Sequence, residues 1–282
     1  MTTREFLTNA AMLSSIMAVA ALIEAAVPMF APGSRTPRRR LANLGLTAVV
    51  FLLNWLLSST AAILAIAVSL QAPNLARHLA LPMPLKIIVG VLLLDFSAGY
   101  LAHRALHLFP GLWRFHQVHH SDDFVDATTT YRTHPVETVW RFLFVFIPVW
   151  TLGIPAAAVV IQRLASAVNG IFEHSNVRLQ PSFDRILSHL WVTPNFHKIH
   201  HSRELAETNS NYGNVLSIYD RVLGTFTPSS RADSVVYGLD EVDSARIGSF
   251  RGLLSMPFAS ENRRSLTQKS GTSSAFTDNI PA

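Results

Sequence analysis

Residues 86–107, KIIVGVLLLDFSAGYLAHRALH, decide the fold. They open as an apolar run of transmembrane length, for which about 20 residues are needed. They close on His103 and His107, so a helix that outlasts the hydrocarbon carries both rings to the membrane surface. At 3.6 residues per turn, positions i and i+4 share a face. Two further clusters come later in the chain, His116, His119 and His120 in HQVHH and His197, His200 and His201 in HKIHH. The same geometry lets each H-x-x-H-H triplet present its rings to one point. Eleven of the twelve histidines fall between positions 103 and 201. A lone histidine reads as a surface or satisfied core residue. Eight imidazoles in three clusters exceed what one ion can take, and two ions are the economical reading. Without metal, their lone pairs and donors would compete for partners in a confined space.

Composition says what surrounds them. The chain of 282 residues is 49% hydrophobic and only 15% charged, against about a quarter charged in an average soluble domain. The reading is an all-α, integral-membrane helical bundle with about four transmembrane helices or hairpin segments. With no cysteine, disulfides, thiolate ligands and cysteine nucleophiles are excluded. The net charge of +5 has its densest source in RTPRRR, with Arg35, Arg38, Arg39 and Arg40. Between two apolar segments, this run is a topology determinant, not a nucleic-acid patch. Cytoplasmic arginines put the first two boxes in a histidine-rich cap on the cytoplasmic side.

Upstream, residues 8–30 span the bilayer with the N-terminus outside, although Glu24 is out of place there. The stretch is longer than the roughly 7–15-residue core of a signal peptide, and its basic charge lies after it. Leu41 to Gln71 has no charged residue and forms a second, tilted span in which Asn54 faces another helix. A polar connection with Pro73, Arg77, His78, Pro82 and Pro84 leads into the third span, which places His78 across the membrane from the clusters. Asp95, in helical phase with Gly99, His103 and His107, is either an acceptor that orders the histidine face or half of a helix-packing ion pair.

Downstream, Asp122, Asp123 and Asp126 in SDDFVDATTTYRTHPVE are either carboxylate ligands or part of a solvated loop, and Pro135 marks a helix start. Val139 to Val168 is apolar but interrupted by Pro148, Gly153 and Pro155. A single crossing would put HKIHH on the far side from the other boxes, so this segment must turn back as a hairpin or a pair of tilted spans. Asn169, Glu173 and His174 return to the side of the boxes. His189 is only loosely in phase with the third box and reads as an interfacial or packing residue. Asn211, Asn214 and Asp220 read as structural, with orientation of a histidine as the alternative. GLLSMPF (252–258) is an amphipathic contact, and residues 259–282 are a mobile tail. The organisation is an N-terminal anchor region over 1–84, a catalytic domain over 85–228 and a polar tail over 229–282.

From DFSAGYLAHRALH through WRFHQVHHSDDFVDATTTYRTHPVE to TPNFHKIHHS, box order and spacing resemble the fatty acid hydroxylase/sterol desaturase superfamily over roughly half the chain. The segment ETNSNYGNVLSIYDRVLGTFTP is similar to the family stretch after the last box. The resemblance implies a membrane-bound, non-haem di-iron enzyme. His134 matches a histidine recurring in bacterial members, and His174 matches a family histidine. The implied metal ligands are His103, His107, His116, His119, His120, His134, His174, His197, His200 and His201. The implied reaction is hydroxylation or desaturation of an aliphatic C–H bond in a sterol, fatty acyl or related lipid, using dioxygen. No nucleotide fingerprint, P-loop, haem or flavin motif is present, so electrons come from a separate ferredoxin, cytochrome or reductase. The rivals are a zinc-dependent lipid hydrolase or isomerase and a non-enzymatic membrane metal-binding protein.

Overall fold

In a computed structural model, the described residues are 3–31, 36–68, 81–240, 242 and 244–259. Arg35, the polar connection with Pro73, Arg77 and His78, and the expected tail beyond 259 lie outside them. Helix α1 (Thr3–Ala26) is mostly apolar, and its one buried residue is Glu24. Glu24 Oε1 accepts the backbone N–H groups of Ala127 at 2.7 Å and Asn176 at 2.9 Å, so the acid that is awkward for a span anchors its end. Helix α2 (Pro37–Val68) starts on the same side. There Arg39 is buried, donating to both oxygens of Asp122 at 2.8 and 2.7 Å and to Asp126 at 2.5 Å. This corrects two sequence readings. Arg39 is an internal ion-pair partner, leaving Arg38 and Arg40 exposed, and Asp122 and Asp126 are buried and belong to neither histidine group.

Helix α3 (Met83–Leu108) carries the first box, and its middle, Asp95–Leu101, is a π-helical turn in which the Ala102 N–H reaches back to Ser97 O. Such a turn inserts a residue and rotates the N-terminal half of the helix against the C-terminal half. Asp95 therefore leaves the histidine face, and its Oδ2 accepts the Leu216 N–H at 3.2 Å. It bonds neither a histidine nor a cation among the described residues, which corrects both expectations for it.

Phe109 and Pro110 break the chain between α3 and α4 (Pro110–His120). After a loop stapled by Asp126, α5 (Pro135–Leu152) and α6 (Ala156–His174) form the expected hairpin. Pro148 does not interrupt α5, contrary to its sequence reading. Proline lacks the N–H that would bond to the carbonyl four residues back, and the Ser97 hydroxyl from the π-helical turn donates to that carbonyl, Phe144 O, at 2.8 Å. The chain turns only at Gly153, which takes a left-handed conformation (φ 69°) that closes the helix. The hairpin packs on α3 through Leu94, Ala98, Val145, Ile154 and Ala158. A side chain at Gly90 would meet Ile154 at 2.8 Å, so only glycine allows this approach.

Short helices come next, α7 (Pro181–Leu187), α8 (Pro194–His200) and α9 (Ile218–Val222), and α10 (Phe250–Ser255) closes the described chain. Residues beyond 228 do not all trail away. Leu253 and Met256 of the GLLSMPF segment bury against Ala42, Leu46 and Val118. Among the described residues, four helices are long and apolar enough to cross a membrane: α1, Pro37–Ser59 of α2, α3 and α5. Their apolar side chains face outward, among them Leu22, Leu52, Ile88 and Ile147, as expected of a bundle whose solvent is lipid. The fold is an all-helical membrane bundle with a histidine cluster at one end.

Candidate metal centre

Nine of the ten histidines named from the sequence converge, all buried, in two groups. His103, His107, His116, His120 and His200 form one, with ligand atoms within 4.8 Å of one another; His119, His174, His197 and His201 form the other. Each H-x-x-H-H box therefore serves two points, where the sequence reading gave it one. Its i, i+4 pair faces one group and its middle histidine the other: His116 and His120 against His119, and His197 and His201 against His200. Helical phase is the cause, because residues i and i+4 lie about 40° apart, while i+3 is about 100° from i+4.

Backbone and carboxylate acceptors fix the rings. His103 Nδ1 donates to Tyr212 O at 2.8 Å, His200 Nδ1 to Ser210 O at 2.7 Å, His174 Nδ1 to Gly170 O at 2.7 Å, and His116 Nδ1 to Glu137 Oε2 at 2.9 Å. A proton on Nδ1 leaves a bare lone pair on Nε2. Yet His103 Nε2 lies 3.1 Å from His116 Nε2, and His174 Nε2 lies 3.1 Å from both His119 Nε2 and His197 Nε2. Lone pairs facing at that distance repel unless a cation sits between them. Two nitrogens each about 2.1 Å from an ion and at right angles would be about 3.0 Å apart. The buried Nε2 atom of His200 likewise has no hydrogen-bond partner among the described residues. Burial, reinforced by neighbouring imidazoles, pushes His119, His120, His197, His200 and His201 well below the ordinary histidine pKa, so they are neutral, as ligation requires. The donor set fits two ions.

The acceptors are themselves held. Asp220 takes the N–H groups of Tyr212 at 2.7 Å and Gly213 at 2.8 Å. Asn211, with φ 54°, ties the same loop to Phe196 O and Thr227 O. Asp220 thus acts on His103 through the Tyr212 carbonyl and not through the ring. Buried Lys198, inside the third box, donates to Val125 O and His174 O at 2.9 Å each. Buried Arg132 donates to Val118 O at 3.1 Å and Ser121 Oγ at 2.9 Å, holding the end of α4. Asp122 would be pushed up by burial, but Arg132 and Arg39 outweigh this and hold it below the usual carboxylate value.

His134 is the one expected ligand outside both groups, which corrects its assignment. Its Nδ1 caps α5 by accepting the Val136 N–H at 3.2 Å, and its Nε2 faces Leu254 O at 3.3 Å, so neither nitrogen is free to reach the centre. His189 is exposed and bonds Arg185 O. Glu173 lies at the edge, its Oε1 4.0 Å from His197 Nε2, and is held by Asn169 and Asn214. Asn169 also accepts from the Trp191 indole at 2.6 Å. The residue that sequence reasoning missed is Glu137. Its signal was a glutamate just inside a helix start, beside the last polar loop of the histidine region.

A model of the fatty acid hydroxylase family matches residues 87–225. The ornithine lipid hydroxylase OlsE of Rhizobium tropici is 33% identical over 190 residues, 67% of this chain and 55% of that protein. Alkylglycerol monooxygenases of Danio rerio and Caenorhabditis elegans are 32% and 28% identical over 141 and 142 residues, half of this chain and 30% and 27% of theirs. The chain thus spans about half the length, or less, of these curated relatives. No solved structure matches it. With three histidine boxes folded into two buried groups inside the matched segment, the chain belongs to the fatty acid hydroxylase/sterol desaturase superfamily.

Proposed function

We propose that the protein is a membrane-bound di-iron monooxygenase that hydroxylates an aliphatic C–H bond of a lipid. The observation that carries this reading is the pairing of a five-histidine with a four-histidine group. Imidazole suits iron, and five nitrogens at one point exceed the four of a closed tetrahedral zinc site. Lipid-hydroxylating relatives favour hydroxylation over desaturation. The balance is one lipid C–H, one dioxygen, two electrons and two protons giving one alcohol and one water. Bound iron would supply the dioxygen chemistry.

The chain's own residues hold and shield. The nine histidines would hold two ions, one in each group. Glu137 and the carbonyls of Tyr212, Ser210 and Gly170 keep the Nε2 lone pairs of His116, His103, His200 and His174 inward. Burial of all nine excludes bulk water. Electrons come from a separate donor protein. Exposed Arg38 and Arg40, at the histidine end of α2, favour a cytoplasmic site by the positive-inside rule.

The test is reconstitution of purified protein with iron, an electron donor and extracted lipids. One dioxygen consumed per hydroxylated lipid, lost in His119→Ala, is the expected result. Lipid turnover by a zinc-loaded protein without dioxygen uptake would refute it in favour of a hydrolase or isomerase.

A further inference from the structure

A cavity of about 130 Å³ leads from His103, His119 and His197 between α2, α5 and α6 to Asn54, Arg141 and Arg163. A cavity of roughly this size, 150 Å³ in one engineered case, accepts a benzene-sized group; it is too small for an acyl chain. Its wall mixes apolar atoms, as at Val50 and Ala167, with hydroxyls, amides and charges, including Thr138, Ser166 and Asn214, whereas the outer faces of the same helices are apolar.

Arg163 stands out in that wall. It lies on α6 among exposed Val160, Ile161 and Leu164, where a cation is costly and marks a path for substrate or ion. Its guanidinium donates to Asn54 Oδ1 at 3.0 Å, and no carboxylate pairs with it among the described residues. The carboxylates that share the cavity are engaged at its histidine end. Glu137 accepts from His116 and, at 2.8 Å, from Arg141. Glu173 is bonded by Asn169 and Asn214. A guanidinium fork matches a carboxylate or phosphate through two parallel hydrogen bonds.

We infer that this cavity takes the polar end of a lipid, with Arg163 holding its carboxylate or phosphate, so that the carbon facing the histidine groups belongs to the lipid's head and not to its acyl tail. The inference rests on the lipid-oxygenase reading above. Arg141, one turn beyond Glu137 on α5, places a second guanidinium along the way.

The test is equilibrium binding to the full, iron-loaded chain in non-ionic detergent. Three single-chain probes of equal acyl length are compared: a lysophosphatidic acid, an N-acylglycine and an uncharged monoacylglycerol. Wild type should prefer the anionic probes at least tenfold. Arg163→Gln should abolish that preference with monoacylglycerol binding unchanged, and Arg163→Lys should restore part of it. The tighter anionic probe identifies the headgroup chemistry. Equal affinity for all three probes in wild type would overturn the inference without any variant, as would an undiminished preference in Arg163→Gln. Displacement by inorganic phosphate as effective as by the lipids would overturn the lipid assignment. Fragmentation of oxidised probes should place the new hydroxyl in the head; a hydroxyl in the acyl tail overturns the orientation. A binding preference with no oxidised product from any probe would refute the oxygenase reading while upholding the anion site.

Discussion

Changing Glu137 to glutamine removes one charge and almost no volume, at the point where the five-histidine group is steered. Its carboxylate is fully buried and meets two donors, His116 Nδ1 at 2.9 Å and Arg141 Nε at 2.8 Å. An amide offers one acceptor oxygen, so its NH₂ must face one of those donors, and the His116 ring loses either its proton's partner or its tilt. Loss of such an outer acceptor lowers metal affinity about 10–100-fold, which is about 1.4–2.8 kcal/mol. Titration of iron against a competing chelator reads this directly. Among the described residues the four-histidine group makes no hydrogen bond or ion pair to Glu137, and it serves as an internal control. In Glu137→Gln the curve should split into one unchanged step and one weakened step. If both steps stay within about twofold of wild type, His116 is oriented by packing alone, and the reasoning about Glu137 fails.

Arg39→Met removes the nearest cation from buried Asp122 and Asp126, leaving Arg132 at 4.0 Å from the first and Arg40 at 3.9 Å from the second, and should cost about 3 kcal/mol, seen as a lower melting midpoint in detergent; an unchanged midpoint would return Arg39 to the role of a surface charge. His134→Ala removes a helix cap worth about 1 kcal/mol and should leave metal content intact, whereas His119→Ala should lose metal; equal losses by elemental analysis would restore His134 to the ligand set. Because His119, His120, His197, His200 and His201 have depressed pKa values when folded, only the unfolded chain takes up protons just below pH 6.5. Stability of the metal-free protein should therefore be full above that pH and fall in acid, by up to about 1.4 kcal/mol per pH unit for each histidine; a melting midpoint that is flat or rising from pH 7.5 down to 5.5 would contradict this.

Much of this molecule is legible in the sequence because two periodicities carry it. Apolar length marks the spans, and i, i+4 spacing marks the histidine faces. The demand that three boxes meet on one side was enough to require the hairpin that α5 and α6 form. The features that stay hidden have long-range or backbone causes. Nothing near Pro148 announces that Ser97, from another helix, will satisfy Phe144 O. Helical phase counted with a constant 3.6 residues per turn misplaces Asp95, because the π-helical turn intervenes. The acceptors that order the rings are mostly carbonyls, which have no side-chain signature. The arginine run reads as a topology determinant and the aspartates as ligands or a solvated loop, since their pairing joins positions far apart in the chain.

The division of the boxes between two basins sets an order in time. The five-histidine basin has four of its members by His120 and then waits for His200, while the other has only His119 until His174 and His197 are made. At about 5–20 residues per second, the nascent chain carries one almost finished chelating pocket for roughly 4–16 s before its neighbour exists. An ion entering during that interval would be chosen by cellular availability and intrinsic affinity, which favours copper and zinc over ferrous iron. Under the di-iron reading proposed above, iron loading would then require a later exchange, once the second basin has closed beside the first.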